Sequence, residues 1–451
     1  MEEKRETYLK ILEKSPCLHQ AALKITKGDG NKLTGERDTI SMGAALVFGP
    51  ALGAFLLWLL RDALLSGKER LYFMSRDGYF FWKGAQILCG DHNLPLDCRY
   101  LSCSRYSLRV PGYHWDHGEA LDFICRDGLQ VTPQILLARA ALTEEEIREV
   151  LGELELPWAE EDMIPRCGLS LVREQLAKSQ TFLSRMDAHS REALPLLEAY
   201  LSQEGLREAA GDALVDSGWM GSVQKTLGRV LKDMGRKTPL EGYYWGLYDI
   251  PNGVRRRDYR SFYFSPEGDL HRKARFQNCL FEAIFTAPHG MTQEYRECDG
   301  CIVPVYASLQ EQRKTITLRM GRDLLNYLEA FSKNLDRRDF FQRGDNRNRK
   351  VVEGLLDSLM LYPSLKEAES YGAIPFCDDI LGQEERPLAE PLKKEHKSRP
   401  FGQSAWYPGS QALTGKEGNS HPGAYLSFQY FRQIRRMYEY HSRKRKGEIL
   451  P

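Results

Sequence analysis

The chain has almost no net charge: 63 Lys/Arg against 62 Asp/Glu leave a formal +1 over 451 residues. No basic stripe interleaved with aromatics runs through its body, so no nucleic-acid partner is expected. A disulfide framework is also missing, because the ten cysteines are scattered and Cys17, Cys89, Cys103, Cys125 and Cys279 lie in apolar or mixed surroundings. A reducing cytoplasm fits that usage. Cys298-Asp-Gly-Cys301 is the one close pair, and with no second Cys/His pair at ligand spacing it reads as a hairpin turn rather than a zinc site. The start, Met1-Glu-Glu-Lys-Arg, lacks the apolar core and cleavage site of a signal peptide.

Only one long apolar run breaks this pattern. Ile40 to Leu60 carries no charge for twenty-one residues, long enough to span a bilayer. It contains Gly43, Gly49, Pro50 and Gly53 and flows into Arg61-Asp62, which favours a buried helix packed against a sheet.

What is present is a soluble globular composition, 42% apolar and 28% charged, with two segments of the same design. In Asp212-Ala-Leu-Val-Asp-Ser-Gly-Trp-Met-Gly-Ser-Val-Gln224 an apolar strand ends on Asp216 and turns through Gly218 and Gly221 into a helix starting at Ser222. Unpaired amides and the positive end of the helix dipole then meet at one place, an anion site with a carboxylate at its rim. Upstream, Leu71-Tyr-Phe-Met-Ser-Arg-Asp-Gly78 is an apolar run closing on Ser75-Arg76-Asp77-Gly78, with a helix from Tyr79 to Cys89 after it. A third strand, Arg99 to Ser104, ends on Ser104-Arg105. In an open parallel sheet such loops share one edge, and two arginines with two aspartates suit a substrate carrying several phosphates.

The expected class is α/β, an open, mostly parallel sheet with flanking helices. Residues 1–40 read as a helical lead-in ending in a polar loop around Gly28-Asp-Gly-Asn31. Residues 41–120 and 207–310 read as the α/β core, the latter with the strand Leu240–Tyr248. Between them, 121–206 is helical throughout, with Thr143-Glu-Glu-Glu146 as a capping box, and forms an all-helical cap inserted between two strands. His114 and His117 are read as part of a polar loop at its start, and Arg255-Arg-Arg257 as an exposed basic turn. Residues 311–365 are helical and charged, expected on the outside of the core. Residues 366–451 form a Pro/Gly-rich linker, including Lys393-Lys-Glu-His-Lys397, and an aromatic basic helix, Tyr425 to Tyr440. From Pro391 to Pro451 twelve Lys/Arg face four Asp/Glu, which points to an anionic partner such as a membrane surface; a solvated tail is the alternative.

Four blocks carry a resemblance: Phe73-Met-Ser-Arg-Asp-Gly78, Tyr100-Leu-Ser-Cys-Ser-Arg105, Val215-Asp-Ser-Gly-Trp-Met-Gly-Ser-Val-Gln224 and Phe281-Glu-Ala-Ile-Phe-Thr-Ala-Pro288. Over roughly 40–295 the chain resembles a bacterial family of capsule and O-antigen clusters, often fused to a phosphatase of the haloacid dehalogenase type and labelled as predicted hydrolases of that superfamily. Such phosphatases need an apolar strand ending in Asp-x-Asp near their start, and this chain has none. Asp77 precedes Gly78 and Asp216 precedes Ser217, while Cys377-Asp378-Asp379 resembles a late acidic motif with no partner upstream.

The remaining part is similar in its order of elements to a type I phosphoribosyltransferase. That likeness implies that Asp216 binds ribose hydroxyls, that Gly218, Gly221 and Ser222 bind the 5-phosphate, and that Arg76 with Asp77 binds magnesium pyrophosphate. Arg105 adds charge at the leaving group and Glu282 acts as base or orienting group. Asp77, Asp216 and Glu282 are thus the expected catalytic groups, with Asp77 on Mg2+. Ser75, Arg76, Gly78, Ser104, Arg105, Gly218, Trp219, Gly221, Ser222 and Gln224 form the expected substrate side, although Trp219 either packs under the loop or stacks on a sugar. Here the usual pair of adjacent acids is replaced by Asp216-Ser217, and the loop is short.

The expectation is therefore a transferase of surface-polysaccharide biosynthesis. It takes a phosphorylated sugar donor, phosphoribosyl pyrophosphate, and a glycan or lipid-linked glycan acceptor, in the cytoplasm or at the inner face of the membrane. The alternatives are a sugar-phosphate hydrolase of the haloacid dehalogenase type and a non-catalytic scaffold of a polysaccharide assembly complex.

Overall fold

The computed structural model describes all residues except 1, 28–38, 129–130, 208–210, 343, 345, 378–380, 382–384, 393–400, 402–403 and 416–422. The Gly28–Asn31 loop, the Lys393–Lys397 run and Asp378-Asp379 lie outside the described residues. Five strands, β1 (Arg70–Met74), β2 (Asp97–Leu101), β3 (Asp212–Trp219), β4 (Glu241–Leu247) and β5 (Tyr259–Phe264), pair in parallel in the order β2-β1-β3-β4-β5. Helices flank this open sheet on both sides, so the chain is an α/β protein as its strand–loop–helix pattern indicates.

Alternation along the strands sorts their side chains into two layers. Leu71, Phe73, Val215, Tyr243 and Trp245 enter one core with the helices Thr39–Leu65, Tyr79–His92, Asn278–Phe285 and Glu311–Ser332. Tyr72, Met74, Leu101 and Leu214 enter the other with Leu197 and Leu201 of the helix Gln180–Gln203 and Leu227 and Val230 of the helix Ser222–Asp233. Coverage of both faces explains why the strands read as apolar runs.

Thr39–Leu65 is one helix with a π-helical stretch at Ala44–Phe48, long and apolar enough to cross a bilayer, yet 94% of its most apolar window is buried inside the protein. Tyr327 and Phe331 pack onto its Gly49 and Gly53. The charged helices Glu311–Ser332 and Arg347–Met360 do not sit outside the core as expected. Their amphipathic inner faces, with Leu324, Tyr327, Phe331, Leu355 and Leu359, belong to the largest apolar cluster, and most of their charges mark the outward side, Arg313 being buried in a pair with Glu385.

Between β2 and β3 the described residues contain helices and no strand, and these helices close around an apolar cluster of their own. Thr143 caps the helix Glu144–Glu153 in a reciprocal box with Glu146. Cys298 and Cys301 end the two strands of a hairpin, β6 (Thr292–Cys298) and β7 (Cys301–Tyr306). Of the basic turn, Arg255 pairs with Asp258 and Arg256 with Glu267, leaving Arg257 mostly exposed.

At the N-terminal end of β3, Asp212 and Arg236 form a buried two-pronged pair. Arg236 Nη1 also donates to Leu206 O at 2.7 Å, and Nε to Thr238 O at 2.9 Å. The pair ties the end of the helical insertion to the sheet.

Candidate functional site

The chain leaves β1 through the helix Tyr79–His92 to reach β2 on one side, and after the insertion returns to β3 on the other side of β1. The carboxyl ends of β1 and β3 are therefore a topological switch point, where connections diverge and where open α/β sheets characteristically take their ligands. Both aspartates singled out in the sequence stand there.

Ser217 bridges them. Its Oγ donates to Asp77 Oδ2 at 2.7 Å, and its backbone N–H donates to Asp216 Oδ1 at 2.9 Å. Asp216 does not end the strand, because β3 runs three residues further and pairs Asp216 with Tyr244 of β4. That position inside the sheet makes the carboxylate costly to ionise. Burial, and after it the nearby charge of Asp77, push its pKa up to about 7, against the opposing pull of Arg105 and of the Ser217 and Gly218 amides.

Two guanidiniums lie at this sheet edge, one within electrostatic reach of Asp216 and the other of His289. Arg105 lies close enough to favour ionised Asp216, and Arg76 close enough to disfavour protonated His289. Among the described residues no side chain forms a hydrogen bond or ion pair with either guanidinium. The Ser75–Arg76 peptide is cis, and Ser75 N donates to Leu101 O at 3.0 Å. Ser75 Oγ, buried beside the Tyr100 phenol, has no hydrogen bond of good geometry. Gly78 is buried where the helix Tyr79–His92 begins, its N–H donating to Met74 O at 2.9 Å.

The second loop turns as expected. Gly218 (φ +113°) passes so close to Gly246 O that a Cβ would collide, and Gly221 (φ +61°) precedes the helix Ser222–Asp233 in the left-handed region. Gly221 gives that helix no side-chain cap, so its first amides, starting at Ser222, are left without that acceptor, the arrangement an anion can exploit.

Four of the expected site residues are engaged elsewhere. Ser104 caps the short helix Arg105–Arg109, accepting from Ser107 N at 2.9 Å and donating to Thr292 O at 2.6 Å. Gln224 is buried and donates to Leu240 O at 2.7 Å and Asp258 O at 3.1 Å, while its Oε1 accepts from Tyr244 OH at 2.6 Å. Such a saturated amide ties strands together and offers nothing to a ligand. Trp219 is packed rather than displayed: it lies among Phe264, Phe276, Phe281 and Tyr248, and its indole N–H donates to Glu282. Glu282 is thereby drawn to that aromatic cluster. His114 and His117 bond Ser190 and Asp187 on the helix Gln180–Gln203, and among the described residues no group of three metal-ligating side chains occurs.

Residues that the sequence did not single out lie beside this sheet edge. His289 Nδ1 lies 2.8 Å from Gly290 O and so carries the proton, which leaves Nε2 to accept from Tyr100 OH at 2.8 Å. Burial, with Arg76 adding to it, holds this imidazole below its usual pKa. Tyr79 meets Tyr100 edge-on at 5.5 Å, and Tyr306 lies 4.2 Å from the His289 ring, with its hydroxyl 2.7 Å from Ser102 Oγ. A histidine between Pro288 and Gly290 was the available signal.

Two carboxylates, two guanidiniums without side-chain partners among the described residues, and a helix N-terminus with no side-chain cap from Gly221 thus share one sheet edge. That set can bind polyanions and sugar hydroxyls together. No protein-family model matches the chain, and a search of curated proteins returns no match.

Proposed function

We propose that the β1/β3 edge holds a phosphorylated sugar donor and that the chain is a transferase of bacterial surface-polysaccharide biosynthesis. In this reading it moves a phosphoribosyl group from phosphoribosyl pyrophosphate to a hydroxyl of a glycan acceptor, as the four-block resemblance implies. The observation that carries the reading is the Asp77–Ser217–Asp216 bridge with Arg105 within electrostatic reach of Asp216 and Arg76 within that of His289, neither guanidinium being bonded to a side chain among the described residues.

Displacement breaks the bond between the anomeric carbon and a pyrophosphate oxygen and forms one to the acceptor oxygen. Pyrophosphate leaves with the bonding electrons, and the acceptor proton passes to a base. Arg76 and Arg105 neutralise charge that grows on the leaving group, while the amides at Ser222 hold the 5-phosphate. Asp216 receives the ribose hydroxyls. Its pKa of about 7 also matches it to accept a proton near neutrality.

Of the two carboxylates, Asp77 is the one suited to magnesium. With no three-ligand cluster among the described residues, it suits an ion shared with substrate phosphates, the usual manner for Mg2+, rather than a protein cage. Bound there, it would supply further neutralisation of the pyrophosphate charge.

Calorimetric titration of the purified chain with phosphoribosyl pyrophosphate and Mg2+, with nucleotide sugars alongside, tests the reading. Magnesium-dependent binding of the first is expected; tighter binding of a nucleotide sugar would assign the site to a different glycosyl donor.

A further inference from the structure

The C-terminal helix Gly423–Arg445 is oriented opposite to an ordinary surface helix. It buries Tyr425, Gln429, Gln433 and Tyr440, and Gln433 is only 1% exposed. Phe428, Phe431, Ile434 and Tyr438 point outward instead, Phe431 at 69% and Tyr438 at 68% exposure. At about 100° per residue these four occupy an arc of roughly 120° on the side away from the buried set. A helix packed on a protein in water normally turns such a stripe inward.

The orientation is held by the polar inner face. Tyr425 OH donates to Gln277 Oε1 at 2.9 Å, Tyr440 OH to Glu267 Oε1 at 2.7 Å, and Arg443 Nη1 to Asn252 Oδ1 at 2.6 Å. Arg436 lies over the Tyr248 ring at 5.2 Å. The stripe is therefore displayed by a firmly seated helix.

Its surroundings are basic. Arg435, Lys444, Arg445 and Lys446 are exposed on or just beyond the helix, whose single acid, Glu439, pairs with Arg435 at 2.8 Å. We propose that this face docks on an anionic lipid surface, with the aromatic stripe entering the headgroup boundary and the cations meeting lipid phosphates or carboxylates. Charge argues against a second copy of the chain as occupant, since a two-fold contact through the stripe sets these cations against their own copies. The inference stands on this surface alone, whatever donor the β1/β3 edge takes.

Flotation of the full chain with vesicles of phosphatidylcholine alone, or with about a third phosphatidylglycerol, tests it. Binding to the anionic vesicles and not the neutral ones is expected. Phe431→Ser/Tyr438→Ser should weaken it about tenfold or more, and Lys444→Ala/Arg445→Ala/Lys446→Ala about a hundredfold. All five side chains are exposed, so the melting temperature should hold in both variants. No binding to anionic vesicles, equal binding to neutral ones, or binding untouched by the aromatic pair would overturn the proposal. So would a concentration-dependent dimer that the aromatic pair abolishes, which would make a second copy the occupant.

Discussion

Ser217 Oγ donates to Asp77 Oδ2 at 2.7 Å, joining a loop that follows β1 to a residue within β3 across 140 positions of sequence. The bond fixes where the Asp77 carboxylate points, and the Ser217 amide, bonded to Asp216, orients the second acid with it. A hydrogen bond to a charged acceptor is worth about 1.5–3 kcal/mol. If that orientation serves the donor, Ser217→Ala should weaken donor binding about tenfold by calorimetry, and lower the melting temperature by a few degrees. Unchanged affinity would separate the bridge from binding.

Asp216 sets stability against function. Its folded-state pKa of about 7 lies above the ordinary value of 3.8, so the folded chain keeps a proton that the unfolded chain has released. This contribution to stability therefore falls as pH rises from about 3.8 to about 7, and then levels. In Asp216→Asn that loss is absent. The variant should melt a few degrees above the wild type at pH 8, with the difference shrinking toward pH 5, and should no longer bind the donor. A pH-independent difference in melting temperature would contradict this assignment of the shift.

Arg236 and Asp212, at the opposite end of β3, form the buried pair whose loss should be felt most in folding. Arg236→Ala strands a buried carboxylate and should cost about 3–5 kcal/mol in urea denaturation. Replacing both partners, as in Arg236→Met/Asp212→Leu, should cost distinctly less, because no unpaired charge is left. Equal losses in the two variants would show that packing, not charge, dominates there.

Local chemistry made the fold legible. Apolar runs of strand length followed by Gly and polar residues located β1 and β3, and the Thr143–Glu146 capping box located its helix, because turns and caps are encoded within a few residues. The end of β3 was misplaced because Asp216 looks like a terminator, whereas the ladder with β4 carries the strand on to Trp219. Gln224 and Ser104 lie beside site residues in sequence but are claimed by partners far along the chain, Asp258 and Thr292. His289 and Tyr100 meet only after folding, so no spacing rule pairs them. The helix Glu311–Ser332 reads as peripheral because charges recur along its whole length, yet one amphipathic face suffices to fill a core.

The central claim is that Arg76, Asp77, Arg105 and Asp216 bind one phosphorylated sugar. Isothermal titration with phosphoribosyl pyrophosphate, with and without Mg2+, in the wild type and in Arg76→Ala/Arg105→Ala, tests it most directly. The account predicts saturable binding that requires Mg2+ and is lost in the double variant. Absence of binding by the wild type, or equal binding by the double variant, would contradict it.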